Sequence, residues 1–361
     1  MKKHCFKKWR KDDGSIDYKA KHTGDPTPFM RWRQAVLTRI KVEVRKGGVT
    51  MYPNSDMKSN EVAELHQHMV FLKEDRAPHV AVAMCKYRYM LERDKYIRQD
   101  GAFEVATEPE EEIIGRHVEY HNNKGLQPNK RLPYVYGIWK SAKRNLRWIS
   151  GARKGENPEA RVPNQRPKAS IAGVGTELVG LLQQVMHTLV GKDEEGRRQG
   201  KPKRCWFVES VEEVAQAIRF DATKVASHNT TADTVDFVTM YPTFNQQLLM
   251  QRVTEAIQEA WDWEGSKLAN MGEQALYLGH KGWIEAEGPA EQGQWTKEEV
   301  TDMVAFVVNN GYVKRGKNVY KQVKGFGMAL ACAPQLANLA CYVVERDFSE
   351  GKQTDSGYLV S

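Results

Sequence analysis

The sequence has little cysteine, no long hydrophobic run and none of several familiar catalytic signatures. Five cysteines (Cys5, Cys85, Cys205, Cys332 and Cys341) are scattered over 361 residues without CxxC spacing. An odd, dispersed set in a large chain argues against a disulfide framework or a zinc ribbon. Reduced thiols are expected, and with them an intracellular location, nuclear or cytoplasmic, and not secretion. No stretch of 18 or more apolar residues is present, so no membrane-spanning helix and no membrane partner are expected. The N-terminus MKKHCFKKWRKDDG is basic but lacks the apolar segment of a secretory signal. There is no complete GxxxxGK[ST] loop and no GxSxG elbow. Gly173 and Gly175 lack the third glycine and preceding strand of a dinucleotide fingerprint. His117 and His121 stand four apart on a helical pattern, but Val118 occupies the place of a metalloprotease glutamate.

What is present is charge, unevenly spread. The formal net charge is +8, with 28% charged and 40% hydrophobic residues, a composition typical of a globular protein. From Lys130 to Lys168 there are eleven basic residues and two acidic ones, Glu156 and Glu159. A second basic stretch, RRQGKPKR, runs from Arg197 to Arg204, and the N-terminal region is basic as well. Acids gather instead at 108–112 and between 255 and 299. Such separation suits a basic face that meets a polyanion.

The periodicity predicts a mixed α/β chain. Residues 1–28 are polar, and residues 29–72 read as helical. HVAVAMC alternates as a strand does, and KYRYMLERDKYIRQDG is a helix stopped by Gly101. EPEEEIIGRHVEYHNNKG has Pro109 near a helix start, acids in its first turn and Gly125 past its end. LPYVYGIWK and LRWISG read as strands about the basic turn SAKRN, and 152–169 as a loop. ELVGLLQQVMHTLV (177–190) is an amphipathic helix. CWFVES reads as a short strand, Ser210 and Glu213 as a capping box, and TVDFVTMY as a strand. QQLLMQRVTEAIQEAWDW is a helix, and residues 264–295 look Gly-rich and irregular. KEEVTDMVAFVVNN is a helix ended by Asn310 and Gly311, YKQVKG a strand edge or turn, and APQLANLACYVVERDF a helix.

Four segments carry a resemblance. QVKGFGMALACAPQLANL (Gln322 to Leu339) couples a Gly-rich turn to a helix opened by Ala333 and Pro334. VDFVTMY (Val235 to Tyr241) places an aspartate at the end of an apolar strand. EDRAP (Glu74 to Pro78) precedes the VAVAMCK strand. LPYVYGIWK (Leu132 to Lys140), Lys143 and LRWISG (Leu146 to Gly151) form a basic hairpin. In this order they resemble the motifs of reverse transcriptases, and the Asp-Phe then Met-Tyr form is similar to Penelope-like retroelements. The resemblance implies an α/β (α+β) right-hand polymerase, with fingers and an incomplete palm built on a mixed or antiparallel sheet with flanking helices. Its divisions would be a basic extension at 1–70, a fingers-like region at 71–231 and a partial palm at 232–361.

The resemblance also implies roles. Asp236 would be the catalytic aspartate and a ligand of Mg²⁺, with the Phe237 carbonyl beside it. Magnesium prefers carboxylate and phosphate oxygens, and two such ions clamp the attacking and leaving oxygens of nucleotidyl transfer. Tyr241 would lie under the sugar and favour deoxynucleotides. Arg76, Lys140, Lys143 and Arg147 would hold the triphosphate, since a guanidinium offers donors in a fixed fork. Gln322, Gly325, Met328 and Ala329 would wall the incoming base, although the family usually has glycine where Ala329 stands. Beyond Phe348 no adjacent Asp pair follows, and Asp355 lies in a polar tail. The resemblance therefore implies a truncated RNA-directed DNA polymerase with a weak or incomplete Mg²⁺ site, weak or inactive alone. Its partners would be an RNA template, an RNA–DNA hybrid or DNA primer, and a dNTP. The alternative is a non-catalytic nucleic-acid-binding protein derived from a reverse transcriptase.

Overall fold

The computed structural model describes residues 68–75, 77–98, 101–141, 144–150, 169–201, 203–207, 212, 215, 240–268, 275–327 and 330–351. All belong to one compact unit, His68–Ser361. The fold is mixed α/β, as the periodicity implies.

Two hairpins make the first sheet. Strand β1 (Met69–Glu74) pairs antiparallel with β2 (Ala77–Cys85), and helix α1 (Lys86–Arg98) follows directly. After β3 (Phe103–Val105) and α2 (Glu110–Asn123) come β4 (Tyr136–Lys140) and β5 (Asn145–Ile149), also antiparallel. The hairpins join edge to edge in the order β2-β1-β4-β5, through a single parallel register of Glu74 with Trp139. Met69 to Leu72 are thus extended, not helical. Phe71 and Leu72 alternate outward and inward, a period of two in a segment too short to separate from a helical pattern by sequence.

Helices α3 (Ala172–Arg198), α5 (Gln246–Lys267), α6 (Lys297–Asn309) and α7 (Ala333–Ser349) bury a common core, with the short α4 (Met240–Thr243) before α5. Leu178, Leu182 and Leu189 from α3, Val253 and Ile257 from α5, Val304 from α6 and Leu336 and Val343 from α7 are fully buried there. Their spacing of four and seven residues is that of a helix stripe facing a core. α3 is longer at both ends than the 177–190 expected. Its first turn carries Gly173, a weak helix former, because a Cβ there would come within 2.7 Å of the His121 ring. α6 opens with a capping box: Thr296 Oγ1 accepts from Glu299 N (3.2 Å), and Glu299 Oε2 accepts from Thr296 N (3.1 Å). The box expected at Ser210 and Glu213 lies outside the described residues.

Two further hairpins are present, of which only part of one strand was anticipated, at YKQVKG. β6 (Ala275–Gly279) and β7 (Gly282–Ala286) occupy part of the 264–295 segment read as irregular. Gly279 and Gly282 flank a two-residue turn, and Gly282 has φ of +132°. There the glycines mark a tight turn and not an absence of structure. β8 (Tyr312–Arg315) and β9 (Asn318–Gln322) form a hairpin whose order with the first short strand is β3-β9-β8. By contrast Cys205–Phe207 form no strand, and Met240 and Tyr241 start a helical turn where a strand was expected.

Polar groups tie the core helices together. Glu259 on α5 accepts from Lys192 Nζ on α3 (2.8 Å), and from Arg346 Nη1 (2.7 Å) and Tyr342 Oη (3.0 Å) on α7. The two cations hold its carboxyl below the usual range against the opposing effect of burial. His117 and His121 of α2 are fully buried. His117 Nδ1 lies 2.8 Å from Ser170 Oγ, and His121 Nδ1 lies 2.7 Å from the His117 carbonyl. Burial, reinforced by Arg116, lowers the His117 pKa from 6.5 to about 4. A histidine held neutral in the fold protonates more readily when unfolded. Its contribution is therefore complete above pH 6.5 and shrinks as the pH falls toward about 4. Urea unfolding should lose about 2 kcal/mol between pH 6.5 and roughly pH 5 from this group, and His117→Gln should flatten that slope. An unchanged slope in the variant would refute the assignment.

Candidate nucleotide and nucleic-acid site

Arg147 sits in β5, opposite Ile138 of β4. Its Nη1 donates toward both carboxylate oxygens of Asp75, at 3.3 and 3.2 Å. Asp75 follows β1 and is itself placed by its backbone N donating to the Trp139 carbonyl at 2.7 Å. The structure thus joins two of the four motif segments, EDRAP and the basic hairpin, through one ion pair. The Arg147 side chain as a whole remains 35% exposed. Lys140 ends β4 in the same hairpin. Arg76 and Lys143 lie outside the described residues, as do Asp236, Phe237, Met328 and Ala329.

The other two segments also meet. Gly325 N donates to the Phe244 carbonyl (2.7 Å), and Phe326 N donates to the Tyr241 carbonyl (3.0 Å). Gln246, at the start of α5, donates from Nε2 to the Gly325 carbonyl (2.7 Å) and the Gln322 carbonyl (3.1 Å). Gly325 has φ of +65°, and a Cβ on it would fall 2.1 Å from the Tyr241 carbonyl oxygen and 2.5 Å from Pro242 C. No side chain fits, so glycine is required twice over, by torsion and by space. Tyr241 is half-buried, its ring edge-on to Phe326 at 5.3 Å and 82°. Burial raises its phenol pKa, so the hydroxyl stays protonated near neutrality.

Gln322 links the two halves. Its side chain is buried; Nε2 donates to the Lys324 carbonyl (2.9 Å), while Oε1 lies 3.5 Å from Ser150 Oγ, just past β5. In this structure the Gln322 amide organises the Gly-rich turn from inside. Reading the sequence for ligand-facing groups singled out Arg76 and passed over Asp75, Ser150 and Gln246, which position the motifs. The signal for Asp75 was available, since it lies within the quoted EDRAP segment.

Among the described residues no three His, Cys, Asp or Glu side chains gather into a metal site.

No family model and no curated protein matches the chain. Solved structures similar to it include apo telomerase from Candida tropicalis, at 12% identity and a TM-score of 0.48, covering 90% of this chain and 49% of that one. The same telomerase truncated from its C-terminal domain matches at 11% identity and 0.48, covering 80% and 49%. Telomerase from Candida albicans in complex with a TWJ fragment of telomeric RNA matches at 10% identity and 0.46, covering 81% and 43%. The chain spans about half the length of the structures it matches.

The close approach at Gly325 makes a direct prediction. Gly325→Ala should destabilise the protein by about 3 kcal/mol in urea unfolding, as both strain and clash act. Gly316→Ala, at φ of +59° but with open space around it, should cost about 1 kcal/mol. Equal losses would mean that the contact with Tyr241 is immaterial.

Proposed function

We propose that this chain is a reverse-transcriptase-like protein, comprising fingers and part of a palm, that binds nucleic acid and holds a nucleoside triphosphate at Arg147. The carrying observation is the docking of the Gly325 turn onto Tyr241 to Phe244, which brings two sequence motifs of that family into main-chain contact. The Arg147 to Asp75 pair adds the other two. The Asp-Phe and Met-Tyr pattern at Asp236 to Tyr241 supports a retroelement origin of Penelope-like type. The clusters at 130–168 and 197–204 supply the charge for an RNA template, a hybrid or a DNA primer.

In such chemistry the 3′-hydroxyl oxygen bonds to the α-phosphorus, and the bond to the β-phosphate oxygen breaks to release pyrophosphate. Catalysis consists mainly of positioning and charge neutralisation. Arg147 would neutralise and orient the triphosphate. Tyr241, anchored by Phe326, would pack under the sugar and select a deoxyribonucleotide. Asp236 would contribute a carboxylate to bound Mg²⁺, which supplies charge at the reacting phosphate. A nuclear or cytoplasmic setting fits a polymerase acting on RNA.

The second reading, nucleic-acid binding without catalysis, is favoured by one observation: a carboxylate already engages Arg147. Titration with inorganic tripolyphosphate separates the two. Under the first reading Arg147→Ala should weaken binding about tenfold, and Asp75→Asn should strengthen it several-fold by freeing the guanidinium. If neither variant changes the affinity, Arg147 is not the triphosphate site and the binding-only reading stands.

A further inference from the structure

Helix α3 ends in a rigid return that displays a tryptophan. Gly200, at φ of +81°, turns the chain, and Lys201 N donates to the Gly196 carbonyl at 3.0 Å. Arg204 N donates to the buried Asp193 carboxylate at 2.8 Å, and Arg204 Nη1 pairs with Glu350 past the end of α7. Cys205 is buried, and Phe207 packs 5.7 Å from the Tyr342 ring. Trp206 lies between these two inward anchors and is 55% exposed. Its outward orientation is therefore set by its neighbours. One exposed ring alone marks no partner; what sets this one apart is the charge beside it.

The surroundings say which partner. Lys203 Nζ stands 4.3 Å from the Trp206 ring centroid. Arg197, Arg198, Lys201 and Lys203 are exposed, and among the described residues no carboxylate pairs with them. Glu194 and Glu195 are the nearby exposed acids, which leaves a surplus of two positive charges, four less two. An aromatic face beside unpaired cations accepts an unpaired base on the ring and its phosphates on the cations. A duplex hides its base faces and cannot use the ring in this way.

We propose that Trp206, with Lys203, Lys201, Arg197 and Arg198, forms a stacking site for single-stranded RNA or DNA, separate from the Arg147 site. The inference rests on the nucleic-acid reading above only for the class of its ligand. A protein partner would favour an apolar patch with paired charges, whereas here a single exposed ring has a lysine ammonium 4.3 Å from its centroid and further basic residues within the same short stretch of chain.

The test uses the full chain, with oligouridylate as the single-stranded probe and a blunt RNA–DNA hybrid as the control. Trp206→Ala should weaken oligouridylate binding about tenfold, while Trp206→Phe stays within about threefold of the parent. Lys203→Gln should weaken binding and reduce its salt dependence by about one ion. Hybrid binding should be unchanged in the two Trp206 variants. If oligouridylate binds the parent and Trp206→Ala equally well, the stacking site is overturned, and an unaffected hybrid affinity leaves the broader reading standing. If the hybrid fails to bind the parent at low salt while oligouridylate binding still depends on Trp206, the polymerase-like grip on a hybrid falls and the stacking site stands. If neither probe binds at low salt, both fall, and a protein partner becomes the occupant of this surface.

Discussion

A missing Cβ holds the candidate site together. Gly325 lies so close to the Tyr241 carbonyl and Pro242 that any side chain would occupy the space of backbone atoms. That approach lets Gly325 N reach Phe244 and Phe326 N reach Tyr241. It also puts the Gly325 and Gln322 carbonyls within reach of one Gln246 amide. These groups would otherwise be main-chain donors and acceptors at a partly buried junction with no partner, a costly condition. Satisfying them fixes α4, the start of α5 and the end of β9 relative to one another. Ser150 then joins β5 to the same junction through Gln322.

Beneath this junction the four-helix core supplies rigidity. Its apolar stripes account for burial, and the Glu259 cluster sets which helices face which. A carboxylate shared by Lys192, Arg346 and Tyr342 ties α3, α5 and α7 at one level. Replacing one member would leave a partly buried charge with fewer partners, so such a cluster tolerates change poorly. Burial elsewhere silences groups that the composition alone would leave as candidates. Cys332 is fully buried and its thiol pKa is pushed up to about 12, which makes it an inert core residue.

How much was legible follows from where each signal resides. Helices α1, α2, α5, α6 and α7 were readable because their stripes and end signals are local. Pro109, Pro334 and Gly311 punctuate the chain whatever surrounds them. Strands β1, β3 and β8 were not, since each is short, and β3 is fixed by a partner distant in sequence. Phe103 pairs with Gln322, which no local pattern announces. The β6–β7 hairpin was hidden because its glycines were read as irregularity when they form a turn. At the site, the sequence showed which motifs to expect, but not that Asp75 would engage Arg147 or that Gln322 would turn inward. Both depend on geometry between segments far apart along the chain. Asp236, the residue that the motifs single out most strongly, lies outside the described residues.

The first sheet has an uneven mechanical character. Within each hairpin, β1 with β2 and β4 with β5, five or more registers lock the strands. Between hairpins the described residues show one register, one main-chain bond from Asp75 and the ion pair of Arg147 with Asp75. The seam is the compliant line of the sheet, with stiff plates on either side. The ion pair across it uses the same guanidinium that an incoming anion would engage. A ligand that draws Arg147 from Asp75 therefore removes one of the few ties across the seam. If Arg147 takes an anion as proposed, occupancy there and the freedom of the two plates would be coupled.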